Sequence, residues 1–356
     1  LLLQERLPRH ISATQPQADT APAVQTTRQG GPLITRQFTL GDLDERNVFL
    51  ASNGAYSVML STTGSGYSQW EDIAIGRWRR DGTRDQWGMF FYLKDLKQGR
   101  IWSATYQPTC SVPESYEVEF ADDRAEIVRW DDQIKTRTEI TVSSEHNAEV
   151  RRISLTNHGH ESRLIEVTSY LEVVLDSAAA DLAHPAFSNL FIQTEFVPDC
   201  DTLLAYRRPR HEHQQSLWVA HTVAVEGNTV GELEYETDRG RFVGRGRDPS
   251  RPESLDKRLS GKEGAVLDPC MSLRRRVRIL PGKTVRIVYS TALARSRSEA
   301  MTLAKTYHEP DGASRVFALA WARSQVELRY LDLPLTEAHL FQTIAGRLIY
   351  GHPLEV

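Results

Sequence analysis

Residues 77–88 read RWRRDGTRDQWG, with four arginines, two aspartates and two tryptophans. Guanidinium forks match the oxygens of carboxylates and phosphates, and flat aromatic rings match the C–H faces of sugars. The stretch lies in a wider block, 64–108, that also holds Tyr67, Trp70, Trp102 and Gln107. Aromatic platforms mixed with Arg, Asp and Gln groups are what a carbohydrate site is built from. A plainer reading is open at this point: the aromatics fill a sandwich core, and Asp81 and Asp85 pair with the neighbouring arginines to order a solvated turn. A phosphate cradle is disfavoured, because no glycine-rich loop opens a helix here.

Other groups carry less chemistry. Glu71, Asp72, Asp131, Asp132, Glu166 and Glu172 are carboxylates of the kind that cleave glycosidic bonds in pairs, but none stands in a distinctive pattern, and solvated surface positions are expected. His211 and His213 could share one face of a strand, yet no third ligand has helpful spacing, so no metal site is expected. His184 and His221 could serve as acid–base groups of a sugar epimerase, though nothing around them selects them. Nucleophile elbows, dinucleotide fingerprints and phosphate loops are missing, and 244–248, GRGRD, reads as a basic turn.

The elements that must position these residues are mainly strands. From about residue 34 to residue 293 the apolar pattern has period two. Thr138, Ile140 and Val142 alternate with Arg137, Glu139 and Thr141; Ile165, Val167, Leu171 and Val173 alternate with Glu166, Thr168 and Glu172. Val285, Ile287 and Tyr289 repeat the pattern. Roughly fifteen such segments, parted by Gly, Asn, Asp or Pro turns, predict stacked antiparallel sheets whose strands each have one wet face. The texture changes near residue 296, where Ser296 or Ser298 is a plausible N-cap and Pro310 a stop. Phe317, Trp321 and Leu328 then recur at helical spacing, and a third helix follows Pro334. That helix is expected to find its packing partners beyond Val356.

Composition bounds the classes. Hydrophobic residues make up 40% and charged residues 25% of 356, ordinary for a soluble globular protein. A net charge of −4 gives no support for a nucleic-acid partner. Cys110, Cys200 and Cys270 are too few and too scattered for a disulfide framework or a zinc site, which fits a reducing compartment. No apolar run approaches the roughly 20 residues that cross a bilayer. Residues 12–32, rich in Pro, Ala, Gln and Thr, read as a linker.

The run NVFLASNGAYSVMLSTTGSGYSQWEDIAIGRWRRDGTRDQWGMFFYLKD, followed by IWSATYQP, resembles the N-terminal domain of glycoside phosphorylase family 94, formerly glycosyltransferase family 36. Within that family the likeness is to the cyclic β-1,2-glucan synthases. The resemblance implies a galactose-mutarotase-like antiparallel β-supersandwich over 34–294, after a tail and linker over 1–33. It implies a helical linker over 295–356 that leads to an (α/α)6 barrel beyond the end of the sequence. It also implies inverting chemistry on a β-glucan with inorganic phosphate as co-substrate, and no other cofactor. The aspartic acid that protonates the glycosidic oxygen belongs to the barrel, so no residue here inherits a catalytic role, and this segment alone is expected to be inactive. The sandwich then supplies a wall beside the barrel's site, and Arg80, Arg84, Asp85 and Trp87 are its candidates. Expected partners are a β-glucan oligosaccharide, the remaining domains of the parent chain and a second copy in a homodimer. The implied location is the cytoplasmic side of the inner membrane, as part of a larger membrane protein. Two alternatives are the N-terminal part of a disaccharide or oligoglucan phosphorylase, and a self-contained carbohydrate-binding sandwich.

Overall fold

The alternating segments form two antiparallel sheets that bury their apolar faces against each other. A computed structural model describes residues 35–351 except Gly82, residues 210–215 and Pro310. The linker expected over 1–33 and the His211/His213 pair lie outside the described residues. One sheet runs from the edge strand Arg36–Thr39 through Ala125–Asp131, Ile134–Val142, Ala148–Asn157, Thr284–Ala294 and Leu217–Glu226 to Ile192–Val197 and its short partner Gly264–Ala265. The other centres on Arg163–Ser177, flanked by Pro269–Ile279 on one side and by Ile73–Gly76, Gly66–Trp70, Tyr56–Ser61 and Val48–Ser52 on the other. Among the described residues each sheet has ten strands, twenty in all against the roughly fifteen segments that alternation alone separates.

The core lies between the sheets. Ile153, Leu155, Val285, Ile287 and Tyr289 of the first sheet meet Phe91, Ile165, Val167, Leu171 and Leu273 of the second. Pairing of Leu155 with Val285 and of Ile153 with Ile287 keeps these side chains on one face, where a one-residue slip would send all of them outward.

The expectation of one wet face fails for the longest strand. Arg163–Ser177 is central, and nearly every residue of it is buried. Its outer face lies beneath the short helix Arg239–Val243 and the turn Glu253–Asp256, through Tyr92, Tyr170, Phe242 and Leu255. Alternation reports polarity, not solvent, and here the polar face is buried among arginines.

Three helices close the fold. Arg297–His308 begins at Ser296, whose Oγ accepts from the Glu299 amide at 3.2 Å. It covers the outer face of the first sheet with Ala300, Leu303 and Tyr307. Gly312–Tyr330 follows and sets Phe317 under the guanidinium groups of Arg124 and Arg152, at 4.9 and 4.4 Å. Leu335–Tyr350 lies along the edge strand Val48–Ser52 and ends beside the 77–88 segment.

Candidate functional site: the cleft beside the arginine-rich loop

The charges of the 77–88 segment reach outward instead of pairing with each other, which corrects the expected mutual ion pairing. Arg77 continues the strand Ile73–Gly76 inward and is buried. Its Nε and Nη2 donate to Asp181 at 3.0 and 2.9 Å, and its Nη1 to Glu172 at 2.8 Å. Arg79 stacks over the Trp87 ring at 5.3 Å. Arg80 is exposed, and its Nε donates to the Tyr350 carbonyl at 2.9 Å. Asp81 accepts from the Thr83 hydroxyl and amide and from the Arg84 amide, and these bonds hold its carboxyl below the usual carboxylate range. Among the described residues, neither Asp81 nor Asp85 is within ion-pair distance of an arginine.

Asp85 is the hub. Its Oδ2 accepts from Thr63 Oγ1 at 2.7 Å and Ser61 Oγ at 3.0 Å, and its Oδ1 from the Tyr350 hydroxyl at 2.9 Å. The Ser65 hydroxyl donates to its carbonyl. Asp85 also sits in the left-handed region with φ 48°, which a carboxylate tied on both oxygens can hold.

These bonds frame a cleft of about 400 Å³, within the range of small-molecule sites. Its walls come from the turns at 40–46 and 61–63, from Asp81, Thr83, Arg84 and Asp85, from the loop 106–112, and from Tyr350. Gln107 is buried in the wall; its amide donates to the Thr63 carbonyl at 2.9 Å and its Nε2 to the Arg84 carbonyl at 2.7 Å. Thr62 is among the residues that line the cleft, and its Oγ1 is buried with no hydrogen-bond partner among the described residues. Hydroxyls, a tied carboxylate and the exposed Arg84 make a wall suited to a neutral polyhydroxylated ligand.

The structure divides the sequence-predicted contacts. Arg84, Asp85 and Gln107 come together on the cleft, and Arg80 braces Tyr350 of its lining. Trp70 and Trp102 do not line it: both are buried in the core between the sheets, Trp102 at 1% exposure, and offer no ring face to a sugar. Tyr67 packs edge-on against Trp78, which packs edge-on against Tyr350. Trp87 lies behind the loop under Arg79, and its carbonyl accepts from the Gly66 amide at 3.0 Å. Tyr350 and Thr62 are the residues that sequence reasoning missed. The signal for Tyr350 is its place on a helix face with Gln342 and Gly346, at i, i+4 and i+8.

The carboxylates also move. Glu71 and Asp72 are exposed as expected. Glu166 and Glu172 are buried, not solvated: Glu166 pairs with Arg274 and Arg276, and Glu172 with Arg77 and Arg239. Asp131 is held by Arg129 at 2.7 Å with both side chains wholly buried. His184 is exposed at the junction of two short helices. His221 is fully buried, which removes it as an acid–base group for a sugar. Its ring nitrogens lie 2.9 Å from the Ser169 and Thr291 hydroxyls, and burial, with Arg151 nearby, lowers its pKa to about 3. Among the described residues no three His, Cys, Asp or Glu side chains converge as metal ligands do.

Comparison with known proteins places this architecture. Residues 33–310 match the family described as glycosyl hydrolase 94, supersandwich domain. The chain is 37% identical over 354 residues to the cyclic β-(1,2)-glucan synthase NdvB of Rhizobium meliloti (strain 1021), covering 98% of this chain and 12% of that protein. It is 23% identical over 270 residues to the N,N′-diacetylchitobiose phosphorylase of Vibrio proteolyticus, covering 68% of this chain and 30% of that enzyme. The chain thus spans less than a third of either relative. A match over most of the chain, on a fold of two stacked antiparallel sheets, shows that it belongs to glycosyl hydrolase family 94 through its supersandwich domain.

Proposed function

We propose that this chain is the non-catalytic carbohydrate-binding sandwich of a cyclic β-1,2-glucan synthase, and that the cleft at Arg84, Asp85 and Gln107 is where it touches β-glucan. The observation that carries this reading is the 37% identity along 98% of the chain to a cyclic β-(1,2)-glucan synthase. The hydroxyl-lined cleft supports it, because the conspicuous loop of the sequence folds into that cleft's wall. In the parent polypeptide the sandwich shapes the active site of a phosphorylase-type barrel that sets glucan chain length, with inorganic phosphate as co-substrate and no other cofactor. The barrel, and a second copy of the chain, are the protein partners in this reading. It also carries with it a parent enzyme at the cytoplasmic face of the inner membrane. Among the described residues no helix is long and apolar enough to cross a membrane.

Calorimetric titration of the 356-residue chain with linear β-1,2-glucan oligosaccharides tests the proposal. Binding is expected in the millimolar range or somewhat tighter, as for a shallow polar site that does no chemistry. Arg84→Ala is expected to weaken it by about fivefold, the worth of one hydrogen bond of about 1 kcal/mol at an exposed site. Absence of heat at saturating glucan would refute the reading, as would phosphorolysis or transglycosylation by this chain alone. A cellobiose or chitobiose series in parallel separates it from the alternative of a disaccharide phosphorylase sandwich.

A further inference from the structure

Tyr350 belongs to two structures at once. It is the last residue of the helix Leu335–Tyr350, and it lines the cleft. Three groups of the 77–88 segment grip it. Asp85 accepts its hydroxyl hydrogen at 2.9 Å, Arg80 donates to its carbonyl at 2.9 Å, and Trp78 packs edge-on against its ring at 5.9 Å. Burial, and next the Asp85 carboxylate, push the phenol well above its ordinary range, so the hydroxyl keeps its proton and remains a donor. The next residue fits the same grip. Gly351 is left-handed, with φ 55°, and a Cβ there would fall 1.0 Å from Arg80 Nη2. The guanidinium therefore occupies the space that any other residue at 351 would fill.

The rest of the helix is held by the same face. Gln342 Oε1 accepts from the Leu50 amide at 3.3 Å and from Arg36 at 2.6 Å, and its Nε2 donates to the Leu50 carbonyl at 3.4 Å. Gly346 allows the helix backbone to meet the Arg46 carbonyl, where a Cβ would come within 2.8 Å. Positions 342, 346 and 350 thus seat the helix at three successive turns, and only the last of them also faces the cleft.

We infer that Tyr350 is a positioning residue which couples occupancy of the cleft to docking of the terminal helix. The docked helix supplies one lining residue of the cleft, Tyr350, and Asp85 receives bonds both from it and from Ser61 and Thr63 of the sandwich. A ligand that contacts both Tyr350 and the lining residues of the sandwich must favour the docked arrangement, and by reciprocity docking must favour the ligand. The inference rests on the reading of the cleft as a glucan site.

Hydrogen exchange on the whole 356-residue chain, with and without a linear β-1,2-glucan oligosaccharide, tests it beside calorimetry on the same samples. Glucan is expected to slow exchange over residues 343–351 of the wild type by about fivefold or more. Tyr350→Phe keeps the ring and removes the bond to Asp85, so it should weaken glucan binding by about fivefold and remove the ligand-induced protection. Gly351→Ala, which displaces Arg80 and its bond to the Tyr350 carbonyl but leaves the Tyr350 side chain in place, should show the same pattern in weaker form and guards against a folding defect in the first variant. Binding heat without any change in exchange over 343–351 overturns the coupling while the site survives. An absence of binding heat in the wild type overturns the site and the coupling together. A purely structural Tyr350 would lower protection in the free protein and leave the ligand-induced change intact.

Discussion

At the scale of single residues, several arginines of this domain act as interior struts. Arg77 is the clearest case: it is buried, bonds Asp181 with two nitrogens and Glu172 with a third, and donates to Asn189 Oδ1 at 2.9 Å. Arg239 completes the set by donating to the other oxygen of Glu172 at 2.7 Å, which also accepts from the Tyr170 hydroxyl. Taking one member away leaves buried carboxylates facing each other. Breaking such a pair costs about 3–5 kcal/mol, whereas truncating an exposed arginine such as Arg84 stays within about 0.5 kcal/mol. Urea unfolding is therefore expected to place Arg77→Ala several kcal/mol below Arg84→Ala. Equal midpoints would show that the cluster is well hydrated. The two arginines stand seven positions apart in one motif and cannot be told apart by residue type. What separates them is that strand Ile73–Gly76 carries Arg77 inward, whereas Arg84 falls in the turn after it.

At the scale of elements, the seating of the last helix decides what the cleft looks like. Alanine has a higher helix propensity than glycine by about 1 kcal/mol, so Gly346→Ala would stabilise an isolated helix. Here the added methyl would meet the Arg46 carbonyl at 2.8 Å and the Val48 side chain at 3.3 Å, and overpacking of that kind costs about 1–3 kcal/mol. The packing penalty wins. Gly346→Ala is expected to speed exchange and proteolysis over 335–350 while the thermal unfolding of the sandwich moves little; unchanged protection of the helix would refute it. The helices themselves were legible in the sequence: Ser296 as N-cap and Pro334 as the opener of the third helix follow from local chemistry. Their docking was not, because the partners of Gln342 and Tyr350 lie 292 and 265 residues earlier in the chain. Nor could alternation distinguish a wet face from a buried polar one, and this misplaced Glu166 and Glu172.

At the scale of the molecule, the two sheets are joined through their interior by more than apolar contact. His221 belongs to one sheet and Ser169 to the other, and Tyr289 stacks on the imidazole at 5.7 Å. Because burial lowers its pKa from 6.5 to about 3, the folded protein holds this ring neutral where the unfolded chain would protonate it. The unfolded state thus binds more protons between those two values, and stability falls as pH drops through that window and is fully present above it. The limiting slope is about 1.4 kcal/mol per pH unit for one group. Urea unfolding between pH 4 and 7.5 should show this loss, and His221→Asn should flatten it even though the variant is weaker throughout. A parallel slope in the variant would assign the acid sensitivity to the buried carboxylates instead. The sandwich class was readable from period-two alternation and from the resemblance that the 77–88 motif carries. The cross-sheet histidine was not, since nothing in its sequence neighbourhood sets it apart from the exposed His184.

The amide of Gln342 has one further implication. By offering an acceptor and a donor to the two backbone groups of Leu50, it imitates the neighbouring strand that Val48–Ser52 lacks at the border of its sheet. A polypeptide trimmed before this residue would keep both sheets but present an unclaimed β border, a ready template for pairing with another molecule. The last helix therefore also protects the solubility of the domain, and pieces that omit it are the ones expected to self-associate.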